Sequence, residues 1–173
     1  MPFADNQSID EIADYYETTK IALKNYKKSI KKETELKNSF LFYSEEELNG
    51  IFKNYENILE INCSFNLLSA LEAYFRIDFE ARNRLQQTDK LSKKLIRFYP
   101  KKEGDFVSLS LILKIWLKYS TYKNEIATFQ KLIDYRNWIA HGRYSEFTDD
   151  KSFYYQSILA FSKKIENSIP FLN

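Results

Sequence analysis

The chain has 173 residues, of which 17% are aromatic, with only three Gly and three Pro, so an all-β or loop-rich fold is disfavoured and long helices are favoured. A hydrophobic content of 44% excludes a disordered chain, and one cysteine, Cys63, excludes an internal disulfide. The net charge of +2 gives only weak overall attraction to nucleic acid, so the distribution of charge matters more than its sum.

The opening "MPFADNQSIDEIADYY" has no apolar core run and does not read as a signal peptide. Ile12, Tyr16, Thr19, Leu23, Tyr26 and Ile30 follow a 4, 3, 4, 3, 4 spacing, which predicts a long amphipathic helix over roughly 8–34. Ser44 with Glu47 has the form of a capping box. Asn49-Gly50 leaves the next residues ambiguous, so the second long helix is expected over about 52–86, bent or broken early. Its apolar face holds Leu68, Leu71, Phe75 and Phe79, and Cys63 lies in it as an expected buried, inert thiol.

Thr88 or Asp89 can cap a shorter helix that ends before Pro100, followed by a "KKEGD" loop. Residues 106–119 read as a buried helix; its "FVSLSLILKIWL" run is 12 residues long, too short to span a bilayer. Thr121 is placed to cap the next helix, which runs to about 141, where Gly142 stops it. "EFTDDKS" reads as a loop with an Asp cap before a last helix over about 152–168. The expectation is one all-α domain over 1–173, a bundle of six or seven helices, soluble and cytoplasmic.

Two stretches concentrate positive charge. Lys20, Lys24, Lys27 and Lys31 recur at 4, 3, 4 along the first helix, flanked by Lys28 and Lys32. Such a stripe can follow a phosphate backbone, or it can be a solvated helix face. Lys90, Lys93, Lys94, Arg97, Lys101 and Lys102 form a second group with the same two readings. Glu72, Arg76 and Glu80 are four apart on the second long helix, as in a surface ion-pair ladder; if that face lines a site, Arg76 is placed to hold a phosphate.

The only histidine of the chain, His141, lies in "DYRNWIAHGRY". Ile126, Phe129, Ile133 and Ala140 form an apolar stripe in which Asn137 is the polar interruption. An unpaired buried amide costs on the order of 1–3 kcal/mol, so Asn137 needs partners or a cleft. His141 is four residues further on and shares its face, so the Asn137 side chain is expected to bond one imidazole nitrogen. Arg136 lies five residues before His141, about 140° around an ideal helix, so the two diverge unless the frayed helix end or a second copy brings them to one phosphate. The plainer alternative is a C-terminal His that interacts with the helix dipole and a surface Arg.

"RNWIAHG" in a late helix of an all-α domain of this length resembles the HEPN superfamily, whose signature is an arginine followed after four to six residues by a histidine. The resemblance rests on about seven residues, with Asn137 a frequent variant of the position after the arginine. It implies a metal-independent ribonuclease working as a homodimer, often a toxin of a toxin–antitoxin pair or a defence effector. By position, Arg136 and His141 would be the catalytic pair and Asn137 their polar support, with an antitoxin protein as a further partner. In one subgroup the antitoxin modifies a tyrosine two places after the histidine; here Arg143 stands there and Tyr144 is one later, a departure from that pattern.

The residue types suit the implied chemistry. RNA carries its own nucleophile, the 2′-hydroxyl. An imidazole, with an ordinary pKa of about 6.5, works as general acid or base near neutral pH. A guanidinium offers phosphoryl oxygens a planar fork of donors. Arg143, with Arg76 and the first-helix lysines, is a candidate RNA contact. No metal-ligand spacing and no Gly-rich phosphate loop occurs, so no metal or nucleotide cofactor is expected. The competing expectation is a non-catalytic dimeric binding module for RNA, nucleotide or protein.

Overall fold

Ser44 opens the helix around which the others pack. In the computed structural model, which describes residues 7–30, 40, 42–99, 107–142 and 153–172, the described chain is helical with no strand. Six helices follow in order: α1 Ile9–Ile30, α2 Glu45–Arg84, α3 Lys90–Ile96, α4 Leu109–Tyr119, α5 Lys123–Ala140 and α6 Tyr155–Ser168. The all-α bundle expected from the sequence is therefore the observed architecture. The extension of α1 beyond Ile30, the "KKEGD" loop, and the "EFTDDKS" loop with its Asp cap lie outside the described residues.

The expected early break in α2 does not occur, and the helix runs unbroken through Asn49-Gly50 for 40 residues. Its start is secured by reciprocal bonds: the Ser44 hydroxyl accepts the Glu47 N–H, and the Glu47 carboxylate accepts the Ser44 N–H at 2.7 Å. Leu48 and Phe52, on either side of Gly50, are buried and anchor the first turns. These terms offset the roughly 1 kcal/mol that a mid-helix glycine costs relative to alanine. A Cβ at Gly50 would meet nothing within 4 Å. Gly50→Ala should therefore raise stability by about 0.5–1 kcal/mol, read as a higher thermal midpoint; a lower midpoint would count against an unstrained helix there.

The other helix starts follow local chemistry. Ser8 and Glu11 make the same reciprocal pair ahead of α1, with Glu11 Oε2 accepting the Ser8 N–H at 2.7 Å. Between the two candidates for α3, Asp89 is the cap, accepting from Leu91 N at 3.0 Å and Ser92 N at 3.1 Å. Ser108 caps α4, which begins at Leu109 rather than at residue 106. Thr121 does not cap α5: Tyr122 is the N-cap, without a side-chain bond, and Ser120 Oγ accepts its N–H at 3.2 Å. Tyr154 likewise precedes α6 without a side-chain cap, so the last helix starts at Tyr155 rather than near 152.

Helix α2 is in contact with all five other helices, α1, α3, α4, α5 and α6. Burial on several faces follows: Leu67, Leu68, Leu71, Phe75 and Phe79 are all buried. Phe75 is the hub of the aromatic core. Its ring stacks on Phe129 at 5.3 Å and meets Trp116 and Phe171 edge-on at 5.5 and 5.0 Å. Such contacts add about 0.5–1.5 kcal/mol each beyond area burial. Cys63 is fully buried, and burial pushes its thiol up to about 11, which makes it a poor nucleophile.

One ion pair is sealed into this core. Arg82 Nε donates to Asp78 Oδ2 at 2.6 Å, and its Nη1 donates to Ser92 Oγ at 2.8 Å. Asp78 Oδ1 accepts the Leu172 N–H at 2.9 Å. The guanidinium also lies 5.2 Å from the Trp116 ring centroid. The pair thus joins α2 to α3, α4 and the C-terminal segment. Among the described residues, no helix is long and apolar enough to cross a membrane.

Candidate functional site

Helix α5 carries the Arg-x4-His motif, and its buried face is turned from the expected stripe. Ile126, Phe129, Leu132 and Tyr135 are buried, Ile133 and Asn137 are half-buried, and Ala140 is exposed. The rotation arises because α5 is gripped by both α2 and α4 and its C-terminal part leans on aromatic rings. Tyr135 stacks on Trp138 at 5.8 Å and lies 4.8 Å from Phe153, so Tyr135 takes the place in the packing that a strict stripe assigns to Asn137.

Arg136 is consequently turned toward α2. Its Nη2 lies 2.9 Å from Glu72 Oε2, its Nη1 donates to Asn137 Oδ1 at 3.1 Å, and its guanidinium lies 5.5 Å from the Phe65 ring centroid. The side chain is 26% exposed, so one side faces solvent while the stem is enclosed. Nε is buried without a partner among the described residues. Three groups therefore fix the fork, and it retains donor capacity.

Glu72 is shared. Its other oxygen, Oε1, accepts from Arg76 Nε at 2.7 Å, and Arg76 Nη1 donates to the Val107 carbonyl at 3.1 Å. The three-residue ladder expected along α2 stops there, since Glu80 accepts instead from Tyr99 Oη at 2.6 Å. Arg76 and Arg136 thus flank one carboxylate, a cluster of two cations and one anion. Arg76 is the residue that the sequence marks as a phosphate contact, whereas Glu72 is the link to α5 that its spacing from Arg76 on α2 does not reveal. A signal was present: Glu72 lies seven residues after Phe65 and three before Phe75, beside the core face of α2.

His141 occupies the C-cap position of α5, with φ −88° and ψ 14°. Its backbone N–H donates to the Asn137 carbonyl at 2.9 Å, and its side chain is exposed. The expected bond from the Asn137 side chain to the imidazole is not formed: among the described residues the amide oxygen is committed to Arg136. Gly142 follows with φ +83° and donates to the Ile139 carbonyl at 3.1 Å, which makes it the glycine stop expected from the sequence. Beside this helix end lies a cleft of about 180 Å³ lined by Ile58, Ile61, Asn62, Ile139 and Gly142. No hydrogen bond or ion pair joins Arg136 to His141 among the described residues, so within one chain the two are neighbours on a helix rather than a contacting pair.

The lysines of α1 have mixed placements. Lys20 donates to Tyr16 Oη at 3.1 Å, and that hydroxyl donates to Glu60 Oε1 at 3.1 Å. The bond to Tyr16 holds the Lys20 pKa above its ordinary value. Lys27 lies 5.8 Å from the Phe52 ring centroid, whereas Lys24 is exposed. Lys31, Arg143 and Tyr144 lie outside the described residues. The stripe is thus partly engaged, Lys20 with Tyr16 of its own helix and Lys27 with Phe52 of α2. Among the described residues, no three His, Cys, Asp or Glu side chains group as metal ligands.

In comparisons with known proteins, no family model, no curated protein and no solved structure matches this chain.

Proposed function

We propose that this chain is a HEPN-like, metal-independent RNA endonuclease, acting on cytoplasmic RNA as a homodimeric toxin or defence effector that an antitoxin protein would restrain. The observation that carries the reading is the guanidinium of Arg136, fixed by Glu72, Asn137 and Phe65 on the helix that ends in the exposed imidazole of His141. A pre-positioned fork of donors stabilises charge on phosphoryl oxygens without reorganising during the reaction. Imidazole is the side-chain type suited to general acid and base work in such a reaction.

The reaction is an internal transesterification. The 2′-oxygen attacks the adjacent phosphorus, the bond to the 5′-oxygen breaks, and a 2′,3′-cyclic phosphate and a 5′-hydroxyl result. Imidazole takes the 2′-hydroxyl proton, and imidazolium returns a proton to the leaving 5′-oxygen. Arg136 offsets the charge on the phosphoryl oxygens. The divergence of Arg136 and His141 around α5 favours a two-fold arrangement in which two motif helices face one cleft. Light scattering should then give twice the 20.7 kDa chain mass. A strict monomer at micromolar concentration would remove the shared site.

The deciding experiment incubates the purified protein with short RNA in excess EDTA and identifies both new ends by mass spectrometry. Cyclic phosphate and 5′-hydroxyl ends are expected, and a 2′-deoxyribose at the cut site should block cleavage. Dependence on added divalent metal, or 5′-phosphate ends, would overturn the mechanism. A second reading, a non-catalytic dimeric module that binds RNA, nucleotide or protein, draws on the Glu72 carboxylate, which offsets the charge of Arg136. Binding without cleavage under every condition would favour it.

A further inference from the structure

Away from the motif helix, α3 and α4 pack so that their basic residues converge. Residues 90–99 and 107–119 together hold six Lys or Arg and no Asp or Glu, while the whole chain has 26 against 24. The remainder therefore carries 20 against 24 and is net acidic, so these two stretches hold positive charge without acidic residues among them. Between the two helices lies a cleft of about 340 Å³. Lys94 and Arg97 of the α3 side face Lys114 and Lys118 of α4 across it. The α3 group is continuous in the sequence, whereas the α4 lysines, about twenty residues later, join it only through packing.

The cleft is not merely charged. Leu111 and Ile115 give it an apolar lining, and two aromatic rings, Phe98 and Tyr119, border it. The ammonium groups of Lys90, Lys94 and Lys118 lie 5.7, 5.5 and 5.6 Å from the Tyr119 ring centroid. The ring attracts each cation, yet the cations repel one another, and no carboxylate lines the cleft among the described residues. An anion between them would relieve that repulsion. Phe98 also lines the cleft and is 49% exposed, so about half of its surface is open to solvent there.

We infer that the α3–α4 cleft binds a nucleoside phosphate, with the phosphate among Lys94, Arg97, Lys114 and Lys118 and the base against Phe98 and the apolar lining. The volume lies at the lower end of small-molecule sites, which suits one base with its phosphate. Arginine provides the planar fork that phosphate oxygens accept, and aromatic faces accept any base by stacking. The same chemistry can come from a free nucleotide or from one residue of an RNA strand. The inference does not depend on the motif of α5, since its residues come from other elements.

The test uses His141→Ala protein and a fluorescent 2′-O-methyl oligoadenylate, so that cleavage and binding cannot be confused. Binding should be saturable. Lys94→Glu with Lys118→Glu should weaken it about tenfold or more and flatten its salt dependence. The same reversals at exposed Lys53 and Lys123 should change it less than threefold, an order-of-magnitude bound for loss of general charge alone. Phe98→Ala should weaken oligoadenylate binding by about tenfold through lost stacking, and leave an abasic strand of equal charge bound as before. Arg97→Glu with Lys114→Glu supplies an independent reversal if the first pair fails to fold by circular dichroism.

Full competition by AMP would identify the cleft as a free-nucleotide site. Binding of the strand without AMP competition would identify it as a strand site, and either result upholds the inference. It is overturned if neither probe binds, if the Lys53 and Lys123 reversals are equally damaging, or if Phe98→Ala weakens both strands alike. Displacement of the probe by oligoglutamate at equal charge concentration would also overturn it, in favour of an acidic protein surface. Loss of RNA cleavage in unmodified protein bears only on the α5 reading and leaves these binding results unchanged.

Discussion

His141→Ala should reduce RNA cleavage by about 10²–10⁴ in rate, the usual worth of positioned proton transfer. The reason is arithmetical as well as chemical: the chain has one histidine, so no second imidazole can take over. The helix end should survive the change, because the bond from residue 141 to the Asn137 carbonyl uses only the backbone. Arg136→Ala should cut the rate through lost phosphate stabilisation, and Arg136→Lys should not fully restore it. Lysine has no fork to span Glu72 and Asn137 while also meeting a phosphoryl oxygen. Asn137→Ala should be milder, since Glu72 and Phe65 still hold the guanidinium.

Glu72→Ala is expected to lower turnover by roughly 10²-fold, by letting the fork drift from its position. Glu72→Gln keeps an acceptor for Arg136 and should retain more activity, with the thermal midpoint of both variants little changed. Single-turnover rates with each variant, alongside circular dichroism, check these expectations. In a bacterial host, induced expression should slow growth and His141→Ala should relieve it. Equal inhibition by both forms would detach any toxicity from the imidazole, and an undiminished cleavage rate in His141→Ala would end the proposed mechanism.

The second large effect is on stability. Asp78→Ala should destabilise the fold by about 3–5 kcal/mol, because it strands the buried Arg82 charge and leaves the Leu172 N–H without its acceptor. Domains are stable by only about 5–15 kcal/mol, so this is a large fraction of the total. A fall in thermal midpoint of about 10 °C or more is expected for a chain of this size. Asp78→Leu combined with Arg82→Met should recover much of the loss, since no orphaned charge remains. A loss under about 1 kcal/mol for Asp78→Ala would mean that water reaches Arg82 and that the pair is not the staple described.

Much of the helical plan was legible locally. The scarcity of Gly and Pro, the Ser44–Glu47 pair and the Gly142 stop are signals that act within one or two turns. Short-range bonds are formed by near neighbours whatever the rest of the chain does, so sequence spacing suffices to find them. Gly50 misled because its cost of about 1 kcal/mol is small against burial of Leu48 and Phe52, which depends on distant partners.

The candidate site divides along the same line. Sequence spacing by itself put Arg136, Asn137 and His141 on one helix and made His141 the last residue before a stop. Only tertiary packing decided which way each side chain is committed. Tyr135 takes the buried position, Arg136 turns to Glu72 and Phe65 on α2, and Asn137 bonds Arg136 instead of the imidazole. Glu72 is more than sixty residues from Arg136 in the chain, and no local pattern on α5 specifies it. The convergence of Lys94 and Arg97 with Lys114 and Lys118 is of the same kind. Side-chain periodicity determines which residues share a helix face, because it is a property of one helix. Which face meets which partner is set by the burial of Phe75, Trp116 and Phe129 together, and that belongs to the assembled core.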